Sequence, residues 1–151
     1  MKLNAARLAA KVSDSLTRDF NENHDESGRF TAAGASDEFS PGRAAKESSQ
    51  RAASLSGDAR KSSEKAGLIG MDMVRAHIAS GMAEAGSHKG AAEKHGEMVL
   101  LHGDRLAHAS TEEERRRELK AVVAHSTAEQ ANQHADQAEQ TRSLNGYPKV
   151  Y

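Results

Sequence analysis

Apolar positions along this chain are sparse, and their spacing is helical. Leu8, Val12, Leu16 and Phe20 recur every fourth residue, with Leu3 and Ala5 nearby, and nothing between Lys2 and Phe20 breaks a helix. Such a stripe is one face of a helix of period 3.6. Residues 1–20 therefore read as an amphipathic helix that docks on the rest of the chain or into a partner's groove. Residues 21–40, NENHDESGRFTAAGASDEFS, mix Gly28 and Gly34 with Ser, Asp and Asn and read as a flexible linker. The linker ends in a helix-start signal. Ser40 suits the N-cap, and Pro41 suits the first helical position, where its missing N–H would have no partner anyway.

Beyond Pro41 the pattern is one of small residues. Ala45, Ser49, Ala52, Ser56, Ala59, Ser63 and Ala66 alternate by four and three, a heptad seam with nothing larger than Ser. A seam of this kind admits another helix closely but buries little. From Leu68 to Ala109 the alternation continues through Met71, Val74, Ile78, Gly81, Ala85, His88, Ala92, His95, Val99, His102, Leu106 and Ala109. Glycines at 86 and 90 predict a break there. A last helix starts at Ser110 or Thr111, where Glu113 or Glu114 can complete a capping box. Its expected seam is Ala121, Ala124, Ala128, Ala131, Ala135 and Ala138, and it should stop near Ser143, before Asn145-Gly146 and Pro148. The tight junction at 109–111 predicts an antiparallel helical hairpin. The fold class expected is all-α: a docking helix (1–20), a linker (21–40), a hairpin or small bundle with Ala/Ser/Gly-rich heptad seams (41–143) and a tail (144–151).

Composition sharpens this picture. Hydrophobic residues make up 36% and aromatics 3%, so a core of large side chains cannot be built. Each buried Leu or Phe contributes about 1.5–3 kcal/mol, and an Ala far less. The net charge of -1 argues against a disordered chain held open by repulsion. A partner protein, or copies of the chain itself, would supply the missing burial. Residues 41–66 carry six basic and three acidic groups without aromatics, which reads as a solvated helix face rather than a nucleic-acid surface. Arg115, Arg116 and Arg117 follow Glu112, Glu113 and Glu114 and should pair with them. No apolar run approaches the roughly 20 residues of a membrane span, and four basic against two acidic groups in residues 1–20 make a poor membrane-surface helix.

Candidate chemistry is thin. The chain has no Cys and eight His. His88, His95 and His102 share one seam but lie seven residues apart, about 10.5 Å of helix rise, too far to share a metal ion. No metal and no cofactor is expected. The simplest role for His95 and His102 is seam packing, in which case replacement by Leu should be tolerated. A second possibility is a pH response, because histidines titrate near pH 6.5. His24, Asp25 and Glu26 lack a framing pocket, and no nucleophile elbow, phosphate loop or HExxH is present. The chain is expected not to be an enzyme and to have no small-molecule substrate.

The stretch NENHDESGRFTAAGA, at residues 21–35, resembles a phrase common near the start of tailed-bacteriophage structural proteins, with Ser27 to Phe30 as the matching motif. The later tract, with AAEKH at 91–95 and repeated Ala-His pairs, is similar to the Ala/His-rich helices that often follow it. This resemblance implies a minor capsid, cement or scaffold-like virion component that contacts capsid or other virion proteins. The same residues leave open a small helical binding module of the host cytoplasm, such as a phage-encoded inhibitor. On either reading Leu8, Val12, Leu16 and Phe20 anchor the partner, and Arg29, Phe30 and Phe39 add contacts from the linker.

Overall fold

In a computed structural model the protein is described over residues 40–146. The expected docking helix with Leu8, Val12, Leu16 and Phe20, the linker with Arg29, Phe30 and Phe39, and the last five residues lie outside this range. Among the described residues the chain forms four helices and no strand: α1 (Pro41–Lys65), α2 (Gly70–Glu84), α3 (His88–His108) and α4 (Glu112–Leu144).

The helices run up, down, up and down as a bundle. α4 packs along both α1 and α3, and α2 packs against both from the other side, so α1 and α3 face each other across the interior. Two glycines make the turns at either end of α2. At Gly67 (φ +77°) the Leu68 N–H donates to the Ser63 carbonyl (3.1 Å) and the Gly67 N–H to that of Glu64 (3.0 Å). Gly86 (φ +77°) repeats this closure, with Ser87 N–H on Met82 and Gly86 N–H on Ala83. A left-handed residue after the last helical turn is what this motif requires. The predicted break between two helices near Gly86 is therefore a complete helix end and a new start. Ser40 occupies the N-cap of α1 with Pro41 following, but its side chain makes no capping bond. At the start of α4, Thr111 and Glu114 form the full capping box.

The small-residue seam of α1 is the inward face: Ala45, Ala52, Ser56, Ala59 and Ser63 are buried and Ser49 half-buried. Elsewhere the buried frame differs from the one the sequence predicts. Val74 and Ile78, expected in the seam, are 44% and 46% exposed, and Met71 is 71% exposed. α2 buries Ala76, Ala79, Ser80 and Ala83 instead. It packs against both α1 and α3, and small inward side chains suit such a site between two helices. On α3, Met98 is buried, while Val99 and Leu106 are only half-buried. On α4, Ala121 and Ala128 are buried, but Ala124 and Ala131 are half-buried and yield the interior to His125 and Asn132, one residue further on. The apolar core proper is one small cluster of Leu68, Ala76 and Met98, bordered by Met73 and Leu101.

This frame predicts opposite outcomes for two substitutions. Ala52→Leu, at a fully buried position, should wedge α1 off its neighbours and cost about 1–3 kcal/mol. Ile78→Ser should stay within about 0.5 kcal/mol of the unsubstituted chain. Urea unfolding of both variants measures this, and the reverse order would mean the predicted seam is the true one.

Candidate functional site

The interior that alanine leaves thin is filled by polar side chains. α1 offers Ser49, Ser56 and Ser63; α3 offers His88, His95 and His102; α4 offers Glu118, His125 and Asn132. Within each set the spacing is seven residues, so each set lies on one helix face. The three Ser–His pairs are all separated by 39 residues, which is the parallel register of α1 and α3. Along α4 the partners run the other way: Asn132 meets His88, His125 meets His95, and Glu118 meets His102.

These contacts join into one continuous chain of hydrogen bonds. With neutral rings its proton order follows from the carboxylate end. Glu118 can only accept. Its two oxygens take Arg105 Nε–H at 2.7 Å and His102 Nδ1–H at 2.6 Å. His102 Nε2 is then the accepting nitrogen and takes the Ser63 hydroxyl proton at 2.8 Å. That hydroxyl has no second hydrogen, so at 2.7 Å His125 Nε2–H donates to the Ser63 oxygen. His125 Nδ1 is left bare and accepts His95 Nδ1–H at 2.8 Å. His95 Nε2 accepts from the Ser56 hydroxyl at 2.9 Å, and Asn132 Nδ2 donates to the Ser56 oxygen at 2.9 Å. Asn132 Nδ2 also donates to the Ala128 carbonyl, while its Oδ1 accepts from His88 Nδ1–H at 2.9 Å. His88 Nε2 ends the series by accepting from Ser49 at 2.7 Å. Every donor meets an acceptor, and no buried side-chain nitrogen or oxygen among the described residues lacks a partner. A buried polar network stabilises only when complete in this way.

The two ends differ. Arg105 ties the Glu118 end to the end of α1 through the Ala66 carbonyl, 3.0 Å away. The Ser49–His88 end borders a cleft of about 410 Å³, where Lys46, Gln50, Glu139 and Arg142 gather at the overhanging ends of α1 and α4. In the middle the imidazoles crowd: His95 and His125 have centroids 5.1 Å apart, and His102 stacks on His125 at 5.4 Å. Burial pushes the pKa of His95 from 6.5 down to about 4. Burial, with the neighbouring His95 and His102, pushes that of His125 down to about 3. All the hydrogen-bond partners of these two rings are neutral, so nothing nearby compensates a charge on them.

Ser63, His102 and Glu118 stand in the connectivity of a hydrolytic triad. Ser63 and His102 are wholly buried, however, and a lone pair of the Ser63 oxygen is occupied by His125. No substrate carbonyl can reach this hydroxyl in the closed bundle. Among the described residues no group of three or more His, Asp or Glu is placed to hold a metal ion.

Of the residues the sequence singles out, His95 and His102 enter this chain, and Ala121 and Ala128 pack beside it. Val74, Ile78, Val99, Leu106, Ala124 and Ala131 take no part. His95 and His102 are buried in the seam, and there they make hydrogen bonds in addition to packing. Sequence reasoning missed Glu118, His125 and Asn132 as inward groups and Ser49, Ser56 and Ser63 as hydrogen-bond partners. The available signal was that Ser, His and Glu/His/Asn each recur at seven-residue spacing on three different helices. No protein-family model, curated protein or solved structure matches this chain.

His102→Leu should leave one oxygen of Glu118 and the Ser63 hydroxyl without their partner, at a cost of about 2–4 kcal/mol. A neutral or stabilising result in chemical denaturation would show that these bonds contribute nothing. The second expectation concerns pH. His95 and His125 bind protons less readily folded than unfolded, so the unfolded chain takes up more protons below pH 6.5. Their contribution is complete above about pH 6.5 and is lost progressively as pH falls towards 4 and then 3. Each unit of depression corresponds to about 1.4 kcal/mol, a large fraction of the 5–15 kcal/mol by which domains are typically stable. Urea midpoints measured from pH 7.5 to 4.5 should hold above about pH 6.5 and fall below it; a flat profile throughout would contradict the neutral pair.

Proposed function

We propose that this chain is a non-enzymatic assembly protein of a tailed-bacteriophage virion, of the minor capsid, cement or scaffold-like kind, acting by helix docking and packing on virion proteins. The observation that carries this reading is the inversion of the bundle. Its interior is mostly alanine and hydrogen-bonded polar groups, while Met71, Val74 and Ile78 on α2, and Ile69 just before it, lie exposed. Met71, Val74 and Ile78 share one helix face by their spacing of three and four. Apolar area withheld from the core and gathered on one face is available to another protein. The motif Ser27 to Phe30 supports the virion setting, and the stripe Leu8, Val12, Leu16 and Phe20 supplies a second apolar surface in the sequence. Among the described residues no helix is long and apolar enough to cross a membrane.

A cytoplasmic binding module, such as a phage-encoded inhibitor of a host protein, would use the same face of α2. Density-gradient purification of the particles produced with this gene, followed by quantitative mass spectrometry, separates the two. The virion reading expects the chain in purified particles at a fixed copy number, reduced at least tenfold by Leu16→Asp or Val74→Asp. A chain confined to the soluble lysate, in complex with one host protein, would replace it with the inhibitor.

A further inference from the structure

We propose that the buried histidine chain is an acid-released latch on α1, holding the N-terminal part of that helix against α3 and α4 at neutral pH and letting it go in acid. The inference does not depend on the virion reading. Three observations support it.

The first is how α1 is held. Its buried residues are Ala45, Ala52, Ser56, Ala59 and Ser63, none of which buries much apolar area. Among its directional ties to α3 and α4 are the bonds of Ser49 to His88, Ser56 to His95 and Asn132, and Ser63 to His102 and His125. The α1 end of the bundle near Gly67 is pinned separately, by buried Leu68 and by Arg105 on the Ala66 carbonyl. Loss of the histidine acceptors removes these ties along α1 towards Pro41, while Leu68 and the Arg105–Ala66 bond remain at the Gly67 end.

The second is the contact between His95 Nδ1 and His125 Nδ1, 2.8 Å apart. One hydrogen fits between two nitrogens at that distance. If both rings are cationic, two N–H groups confront each other and the contact must open. A single added proton can be accommodated only by reversing donors along the serines, and it leaves a buried cation.

The third is the surroundings of the pair. α1 faces it with Ser56 and Ser63, which carry no charge. α2 turns Ala76, Ala79, Ser80 and Ala83 inward, none of them titratable. α3 adds His88 and His102, with Arg105 one step further. α4 adds Asn132, and Glu118 lies beyond His102. Glu129, also on α4, sits over Gly96, and burial raises its pKa. Release exposes both imidazoles to water, where they titrate near their ordinary 6.5 rather than at about 4 and about 3. Between pH 7.5 and pH 5 that difference raises the open-to-closed ratio on the order of 10³-fold.

The chain has no cysteine, so engineered cysteine pairs can carry donor and acceptor dyes. Glu47→Cys with Gln140→Cys reports α1 against α4. Leu100→Cys with Lys120→Cys reports α3 against α4. Between pH 7.5 and pH 5 the first pair should lose energy transfer while the second keeps it. In the double variant His95→Gln with His125→Asn, the acid response of the first pair should shrink at least tenfold. Both pairs changing together would make the effect global unfolding, and neither changing would remove the latch; either overturns the proposal. So does an unchanged acid midpoint in the double variant. Should that variant fail to fold at neutral pH, the two dye pairs in the chain with its histidines intact decide the matter alone.

Discussion

The bundle depends on a short distance between α1 and its neighbours. Imidazoles rooted on α3 and α4 reach the serine hydroxyls of α1 only because α1 places nothing larger than Ala or Ser on its inward face. A single Leu in that seam would hold the helices apart by more than a hydrogen bond can bridge. Small residues usually weaken a core because they bury little. Here they bring the backbones near enough for a polar interior to close on itself. The thin hydrophobic content and the buried histidines are one design choice seen from two sides.

Completeness of the network decides whether that choice stabilises or destabilises the fold. Each imidazole in it has one donor and one acceptor, Ser56 and Ser63 each give one proton and accept one bond, Ser49 gives one proton at the end of the series, and Asn132 supplies both an acceptor and two donors. The chain runs from a group that only accepts, Glu118, and the direction of every later bond follows. Burial of two uncharged imidazoles is inexpensive while they are paired; burial of either as a cation is not. The same arrangement that is quiet at neutral pH is therefore costly to protonate in acid.

Much of the fold was legible in the sequence, because it rests on local signals. The Ser40-Pro41 start, the break near Gly86, the Thr111–Glu114 box and the seam of α1 all depend on residues within a few positions of one another. The buried faces of α2 and α4 were harder to read. Hydrophobic size normally marks the inward face, but here Val74 and Ile78 point outward and His125 and Asn132 inward, because their neighbours are small or polar. Which face of α2 is buried is set by how it packs against α1 and α3, a tertiary property. The chemistry was less legible still. Histidines seven residues apart are useless to a shared metal, and that reasoning holds; it does not reveal that serines on another helix repeat at the same interval.

Heptad repetition on three helices raises a question of register, and the unlike residues on α4 answer it. Ser49, Ser56 and Ser63 are equivalent to one another, as are His88, His95 and His102, so sliding α1 by seven residues against α3 would remake two of the three Ser–His pairs. Apolar seams of Ala tolerate such slips, since one layer resembles the next. Glu118, His125 and Asn132 are not interchangeable. In the native register Glu118 lies between His102 and Arg105, and Asn132 bridges His88 and Ser56. A slip of α4 by one heptad would set the carboxylate against His95, away from Arg105, and would present an amide or a ring where the donor order needs the other. A single buried polar residue can fix register in a coiled coil. Three different ones in series do so here for a bundle whose alanines could not.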